Sequence, residues 1–358
     1  MPRARRSSRQ LVTPTNADRL KRVLAMLVVG VATATAILRA AAQTRSPAVR
    51  IETDDPACQI RQLVSTGGPF PKDPDTLAIR WTGYSNFELA YKGRLVLLDA
   101  YFDRGGEYPP LGFRAADVRR ADVILIGHGH FDHMSDAASV GTRTGATIVG
   151  APTTIASLQA QSVAEKQLRT VTGRGGERLE FPGFTVEPIL ARHGEPPSAV
   201  TAGFGRALQA ATTPPTAEQA AEQRSIVARG SSDPKIVTEG TIAYLITLEN
   251  GFRIFYRDSG GKLTDYERAA AERVGSVDLA IAATSASYVT SLIVEQALEY
   301  VHAYHPSAFM PAHHDAPFTN LWRPTEPIFQ AIKDENANIL TISKGYREPT
   351  CFRRPSRR

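Results

Sequence analysis

"ILIGHGHFDHMSD", residues 124–136, decides how this chain is read. It opens as an apolar strand and then sets His128, His130 and His133 within six positions, with Asp132 beside the last. In an extended segment, side chains at i and i+2 project to the same side, so His128 and His130 are placed to hold one ion between them. Asp132 and His133 fall at the turn into a helix, project differently, and suit a second ion a few ångströms away. Imidazole with carboxylate is a donor set for zinc, with iron or manganese as alternatives. Two such ions about 3.5 to 4 Å apart can hold a bridging hydroxide and steady both the attacking and the leaving oxygen of a hydrolysis.

Four residues do not complete two coordination spheres. Three more polar residues stand at the ends of later apolar strands. His193 closes "VEPILARH" (186–193), Asp258 closes "FRIFYRD" (252–258), and His313 follows "AFMPA" (308–312). Strand ends are where a rigid scaffold presents reactive groups. The set of seven gives three ligands for each ion with Asp258 bridging.

"HGHFDH" resembles the HxHxDH signature of the metallo-β-lactamase superfamily, and His193, Asp258 and His313 follow in that family's order. "LLDAYF" (97–102) is similar to its early strand ending in aspartate. The resemblance runs from about residue 77 to 345 and implies a four-layer αββα sandwich with a dinuclear site at one edge of the two sheets. It implies that His128, His130 and His193 bind one metal and that Asp132, His133 and His313 bind the other, with Asp258 between. It further implies that Asp99 orients a ligand from behind. Arg257 departs from the pattern: it stands where the family often has glycine, and crowding of that turn is expected. Of the adjacent His313 and His314, the spacing from Pro311 favours His313 as the ligand.

The strand pattern agrees with stacked layers. Short strands begin at 77 ("LAIRWTG", "NFELAY", "RLVLLDA"), and "ADVILIG" (121–127) leads into the histidines. "SDAASVGTRTG" (135–145) reads as a short helix. Hairpins turn at Pro182–Gly183 and at "ENG" (249–251), and "SLIVEQALEYVHAYHP" (291–306) is a helix stopped by proline. Blocks of hairpins followed by helices occur twice, which favours a sandwich over a doubly wound sheet. No glycine-rich phosphate loop follows a first strand.

The net charge of +6 divides into +7 over residues 1–42, +5 over 344–358 and −6 over the body, 43–343. A protein that grips phosphate backbones concentrates basic charge on its folded surface, so nucleic acid is not the expected partner. In the head, a basic segment precedes the apolar run "VLAMLVVGVATATAIL" (23–38) and "RAAAQ". That order reads as an export signal cleaved after Ala42, or as a retained membrane anchor, and places the protein in the periplasm or outside the cell. The domain plan is then 1–42 signal or anchor, 43–76 extended lead-in, 77–345 hydrolase-like domain with 196–236 as an insertion or lid, and 346–358 a basic tail. Cys58 and Cys351 are the two cysteines; they either join the two ends of the mature chain or stand as separate thiols.

The function expected is that of a metal-dependent hydrolase with two divalent ions, zinc foremost. A metal-bridging hydroxide attacks an ester, lactone, amide or phosphodiester of a small-molecule or lipid substrate. Asp132 is the expected catalytic residue that orients the nucleophile, and His314, with Asp315, is the candidate proton donor. The alternatives are an exported non-hydrolytic metal- or ligand-binding protein and a nuclease, which the charge of the body disfavours. Trp81, Tyr84, Asn86 and Tyr288 are candidates for either the pocket or packing. His302 and His305 are read as structural or solvated.

Overall fold

The structure is a computed structural model that describes residues 49–106, 109–194, 215–284, 290–315 and 325–354. The apolar segment 23–38, residues 196–214 of the expected lid, and Tyr288 lie outside the described residues.

Two mixed sheets form the molecule. The first contains β1 (Arg50–Glu52), β2 (Thr76–Trp81), β3 (Phe87–Tyr91), β4 (Arg94–Leu98), β5 (Val123–Leu125), β6 (Thr147–Gly150), β7 (Leu168–Thr170) and, from the far end of the chain, β15 (Pro349–Arg353). Their spatial order is β1-β15-β2-β3-β4-β5-β6-β7. The second contains β8 (Leu179–Phe181), β9 (Phe184–Ala191), β10 (Thr241–Leu248), β11 (Arg253–Arg257), β12 (Leu279–Ala283), β13 (Ala308–Ala312) and β14 (Leu340–Thr341), in the order β14-β13-β12-β11-β10-β9-β8. Each sheet joins an antiparallel meander to a parallel run: β2-β3-β4 then β4-β5-β6-β7 in the first, β8-β9-β10-β11 then β11-β12-β13-β14 in the second.

The layering follows from period-two alternation in strands that are apolar on both faces. In β4 and β5, Val96, Leu98, Val123 and Leu125 point between the sheets, while Leu97 and Ile124 point outward to a helical layer. In β11 and β12, Ile254, Tyr256, Leu279 and Ile281 enter the same central core, while Phe255 and Ala280 face the opposite helical layer. The first outer layer holds α1 (Phe131–Met134), α2 (Ala137–Thr144) and α3 (Pro152–Ala160). The second holds α5 (Asp265–Val274), α6 (Thr290–Tyr304) and α7 (Glu326–Glu335). Helix, sheet, sheet, helix is the αββα sandwich expected from the sequence.

The ends of the chain differ from expectation. Residues 349–353 are a strand inserted between β1 and β2, where a basic tail was expected, and 50–52 of the lead-in pair with it. The arginines at 353 and 354 mask a short alternating run: Phe352 enters the central core and Cys351 the outer face. Cys58 and Cys351 form a disulfide across 293 residues of sequence, with Cα atoms 5.8 Å apart. Within the expected insertion, α4 (Ala217–Val227) is a largely polar helix started by a capping box between Thr216 and Gln219.

Candidate metal centre

The seven candidate residues stand just beyond strand ends on one edge of the sandwich. His128 and His130 follow β5, His193 follows β9, Asp258 follows β11 directly, and His313 follows β13 directly. His130 is the N-cap of α1, so Asp132 and His133 turn with the helix and leave the direction of the strand. The two sheets are tied together at this edge, where Ile242 at the start of β10 donates to the carbonyl of Gly127 at 2.7 Å.

Three overlapping groups of donor atoms result, each with its atoms within 4.8 Å of one another: His128, His130 and His193; Asp132, His133 and His313; and His128, His133 and Asp258. Asp258 therefore shares one histidine with each of the other groups. His128 Nε2 lies 3.0 Å from His130 Nδ1, and His128 Nδ1 lies 2.6 Å from Asp258 Oδ2. On the other side Asp132 Oδ2 is 3.3 Å from His313 Nε2 and 3.6 Å from His133 Nε2. Glycine at 127 is required, because a Cβ there would stand 2.0 Å from the Asp258 carboxyl carbon.

Asp99 supports the cluster from below. Its Oδ2 lies 2.8 Å from His133 Nδ1 and accepts from Ser85 Oγ at 2.6 Å and Tyr256 Oη at 2.7 Å, while Oδ1 accepts from the Gly127 amide at 2.9 Å. Fixing Nδ1 leaves Nε2 of His133 facing Asp132. Asp99 (φ 58°), His313 (φ 55°) and Tyr84 (φ 51°) all occupy the left-handed region. Such conformations persist in side-chain-bearing residues only where the surroundings hold them, and they gather at functional sites. Ser85 and Tyr256 were not singled out in the sequence; Tyr256 stands within the apolar run that Asp258 closes.

The charges are tightly coupled. Burial, reinforced by His133 and His130, holds His128 well below the ordinary histidine range, and burial also lowers His130. Burial and the neighbouring imidazoles bring His193 down to about 2. His133 goes the other way: burial pulls it down, but Asp132, Asp258 and Asp99 together raise it to about 10. Asp132 is held well below the usual carboxylate range, its burial outweighed by His133 and His313. Asp258 and Asp99 are pushed up by burial.

The remaining candidates divide. The ring of His314 stacks on Trp81, with centroids 4.2 Å apart, and His314 belongs to none of the three groups among the described residues. Asp315 accepts from the Tyr84 amide (2.8 Å) and Tyr346 Oη (2.7 Å) and pairs with buried Arg104 at 2.8 Å. That network holds the Tyr84 carbonyl where it accepts from the His313 amide at 2.8 Å, so the pair His314–Asp315 frames His313. Trp81 donates to the same carbonyl at 2.7 Å, and Asn86 bridges Gly83 and Tyr101, so both are packing residues of this loop. His302 is on the surface beside Glu335.

Arg257 does not crowd the turn. It lies on the outward face of β11, on the side of Phe255, and is fully buried against Glu267 at 2.7 Å. From the insertion, α4 buries Ile226 among Tyr84, Tyr101 and Phe131, and Tyr84 meets the His313 ring edge-on at 4.7 Å. Arg229 donates to the Ser135 carbonyl, and Ser231 to that of Gly129, which anchors the segment beside α1.

A family model described as Beta-lactamase superfamily domain matches residues 94–213. A UPF0173 metal-dependent hydrolase of Methanopyrus kandleri is 30% identical over 117 residues, 33% of this chain and 47% of the relative. Another, of Polynucleobacter asymbioticus, is 22% identical over 187 residues, 52% of this chain and 56% of the relative. The chain thus spans about half the length of the curated relatives it matches. Among solved structures, Igni18, a metallo hydrolase of Ignicoccus hospitalis, has the same fold, with a TM-score of 0.55 and 16% identity over 77% of this chain and 98% of that one. The described strands and helices form an αββα sandwich that carries HxHxDH at the end of β5. Over residues 94–213 the chain is similar to the beta-lactamase superfamily domain, and its fold is that of Igni18.

Proposed function

We propose that this chain is a metal-dependent hydrolase with a dinuclear centre, and that zinc is the ion its donors favour. The observation that carries the reading is the convergence of seven side chains from four strand ends into three overlapping groups. The residues fit divalent ions. Imidazole nitrogens face one another across 3.0 Å at His128 and His130, and enclosed Asp258 Oδ1 meets no hydrogen-bond donor among the described residues. His128, His130 and His193 would hold one ion, and Asp132, His133 and His313 the other, with Asp258 between. Bound there, such ions supply Lewis acidity toward a carbonyl or phosphoryl oxygen and draw a nucleophile from water near neutral pH.

The protein residues have separate tasks. Asp99 holds the Nδ1 side of His133 so that Nε2 faces the centre. Asp132 is partly exposed, and its carboxylate is positioned to accept a proton from attacking water and orient it toward substrate. His314, whose ring stacks on Trp81, is the candidate proton donor toward the leaving group.

The bond attacked is an ester, lactone, amide or phosphodiester of a small-molecule or lipid substrate, and the −6 body disfavours polyanionic nucleic acid. The curated relatives, metal-dependent hydrolases by name, support the reaction class. Export through the basic and apolar head is part of the same proposal, supported by the Cys58–Cys351 disulfide, since such bonds persist in oxidising compartments. Cell fractionation tests it: the oxidised protein is expected in the periplasm, the medium or the membrane, and a cytoplasmic, reduced pool contradicts export.

Zinc-loaded protein is to be screened against lactones, β-lactams, phosphodiesters, simple esters and N-acyl phospholipids. Turnover of at least one class is expected, and its abolition in His130→Ala. Hydrolysis that survives in metal-free His130→Ala contradicts the proposal.

A further inference from the structure

Arg257, like Arg80, is a fully buried charged group that the proposed reaction does not use. It is fully buried with Glu267 of α5, both side chains at 0% exposure. Replacing a buried ion pair with apolar side chains is often neutral or stabilising, so the pair is weak as a device for stability alone. What sets it apart is where the guanidinium sends its donors.

Nη1 donates to the carbonyls of Ser259 at 2.7 Å and Gly261 at 2.9 Å and meets the Tyr300 hydroxyl. Nη2 donates to the carbonyl of Arg192 at 3.0 Å, with the Lys262 carbonyl at 3.4 Å. Arg192 precedes His193, and Ser259 follows Asp258. One planar fork therefore holds the backbone next to two candidate ligands that belong to different groups and arrive on different strands. Nε lies 2.7 Å from a Glu267 carboxylate oxygen, an ion pair that balances the buried charge. Tyr300 reinforces it by donating to the Gly261 carbonyl at 2.8 Å, and Ser259 Oγ accepts from the Gly194 amide at 3.1 Å. Lysine, a point charge on a flexible stem, cannot span these carbonyls with fixed geometry.

We propose that Arg257 is a positioning residue that sets the spacing of His193 and Asp258 and so tunes the affinity of the centre for its ions. This rests on the metal-centre reading given above. The inference concerns ion binding, and a purely architectural role would show in thermal stability without altering the affinity of molecules that remain folded.

The test is zinc titration against a chromophoric chelator for the oxidised protein, Arg257→Lys and Tyr300→Phe, with circular dichroism and melting of the metal-free forms alongside. Folded Arg257→Lys is expected to bind zinc about 10- to 100-fold more weakly, as for other groups that orient ligands from behind. Tyr300→Phe, which removes one hydrogen bond from the fork, is expected to lose about fivefold. Lower melting with unchanged zinc affinity in Arg257→Lys overturns the inference and leaves the metal centre standing. If Arg257→Lys does not fold, Tyr300→Phe decides, and unchanged affinity there overturns it. If the unaltered protein takes up no zinc, the metal-centre reading falls, and this inference with it.

Discussion

Asp99 Oδ2 stands 2.8 Å from Nδ1 of His133, beneath the cluster and outside its three groups. The same oxygen accepts from Ser85 and Tyr256, so the carboxylate is held on three sides. Its consequence is that His133 offers one defined nitrogen to the centre. Asp99→Asn keeps the shape but replaces an acceptor with an amide. A loss of about 10- to 100-fold in zinc affinity is expected, measured by chelator competition. Ser85→Ala should lose less, since Tyr256 and Gly127 still hold the carboxylate.

The two groups differ in how protons compete with ions. In the metal-free protein His133, raised to about 10, carries a proton at neutral pH, whereas His193, lowered to about 2, does not. Ion binding through His133 therefore expels a proton, and affinity there rises with pH until about 10. Binding through His128, His130 and His193 is insensitive to pH near neutrality. Calorimetry in buffers of different ionisation enthalpy should find about one proton released per chain on loading. The sign for folding is opposite at His133: its raised value stabilises the metal-free fold fully below the ordinary histidine range, and this is lost as pH rises through about 10.

The Cys58–Cys351 bond joins the lead-in to the strand β15 without touching the centre. Its removal in Cys58→Ser/Cys351→Ser is expected to cost about 2 to 5 kcal/mol of stability, read from denaturant melts, while zinc stoichiometry stays unchanged.

Helix α4 is held to the body by one fully buried apolar side chain, Ile226. Ile226→Ala should release it locally: a contact of this kind is worth about 2 to 5 kcal/mol, well above what exposed polar contacts would restore. Limited proteolysis across 217–236 is expected to quicken, with little change in the global melt.

Much of the site was legible because its chemistry is carried by rare residue types at strand ends. His128, His130, Asp132 and His133 announce themselves by spacing, and His193, Asp258 and His313 by ending apolar runs. The layers were legible because Val96, Leu97, Leu98 and their counterparts are apolar on both faces. What stayed hidden depends on which way side chains turn. Arg257 read as an obstruction because sequence does not say that it lies on the helix side of β11. Adjacency of His313 and His314 likewise does not reveal that their side chains diverge, one to Asp132 and one to Trp81. β15 read as a tail because its short apolar stretch is flanked by arginines, and its pairing partner β2 lies far away in sequence.

The most direct measurement is the metal content of the oxidised protein after zinc loading and removal of free ion, set beside Asp258→Ala and His133→Ala. The predicted result is about two ions per chain for the unaltered protein and close to one for each variant, because each loses a donor on which a second ion depends. Absence of tightly held ions, or the same content in all three proteins, would contradict a dinuclear centre built from these seven residues.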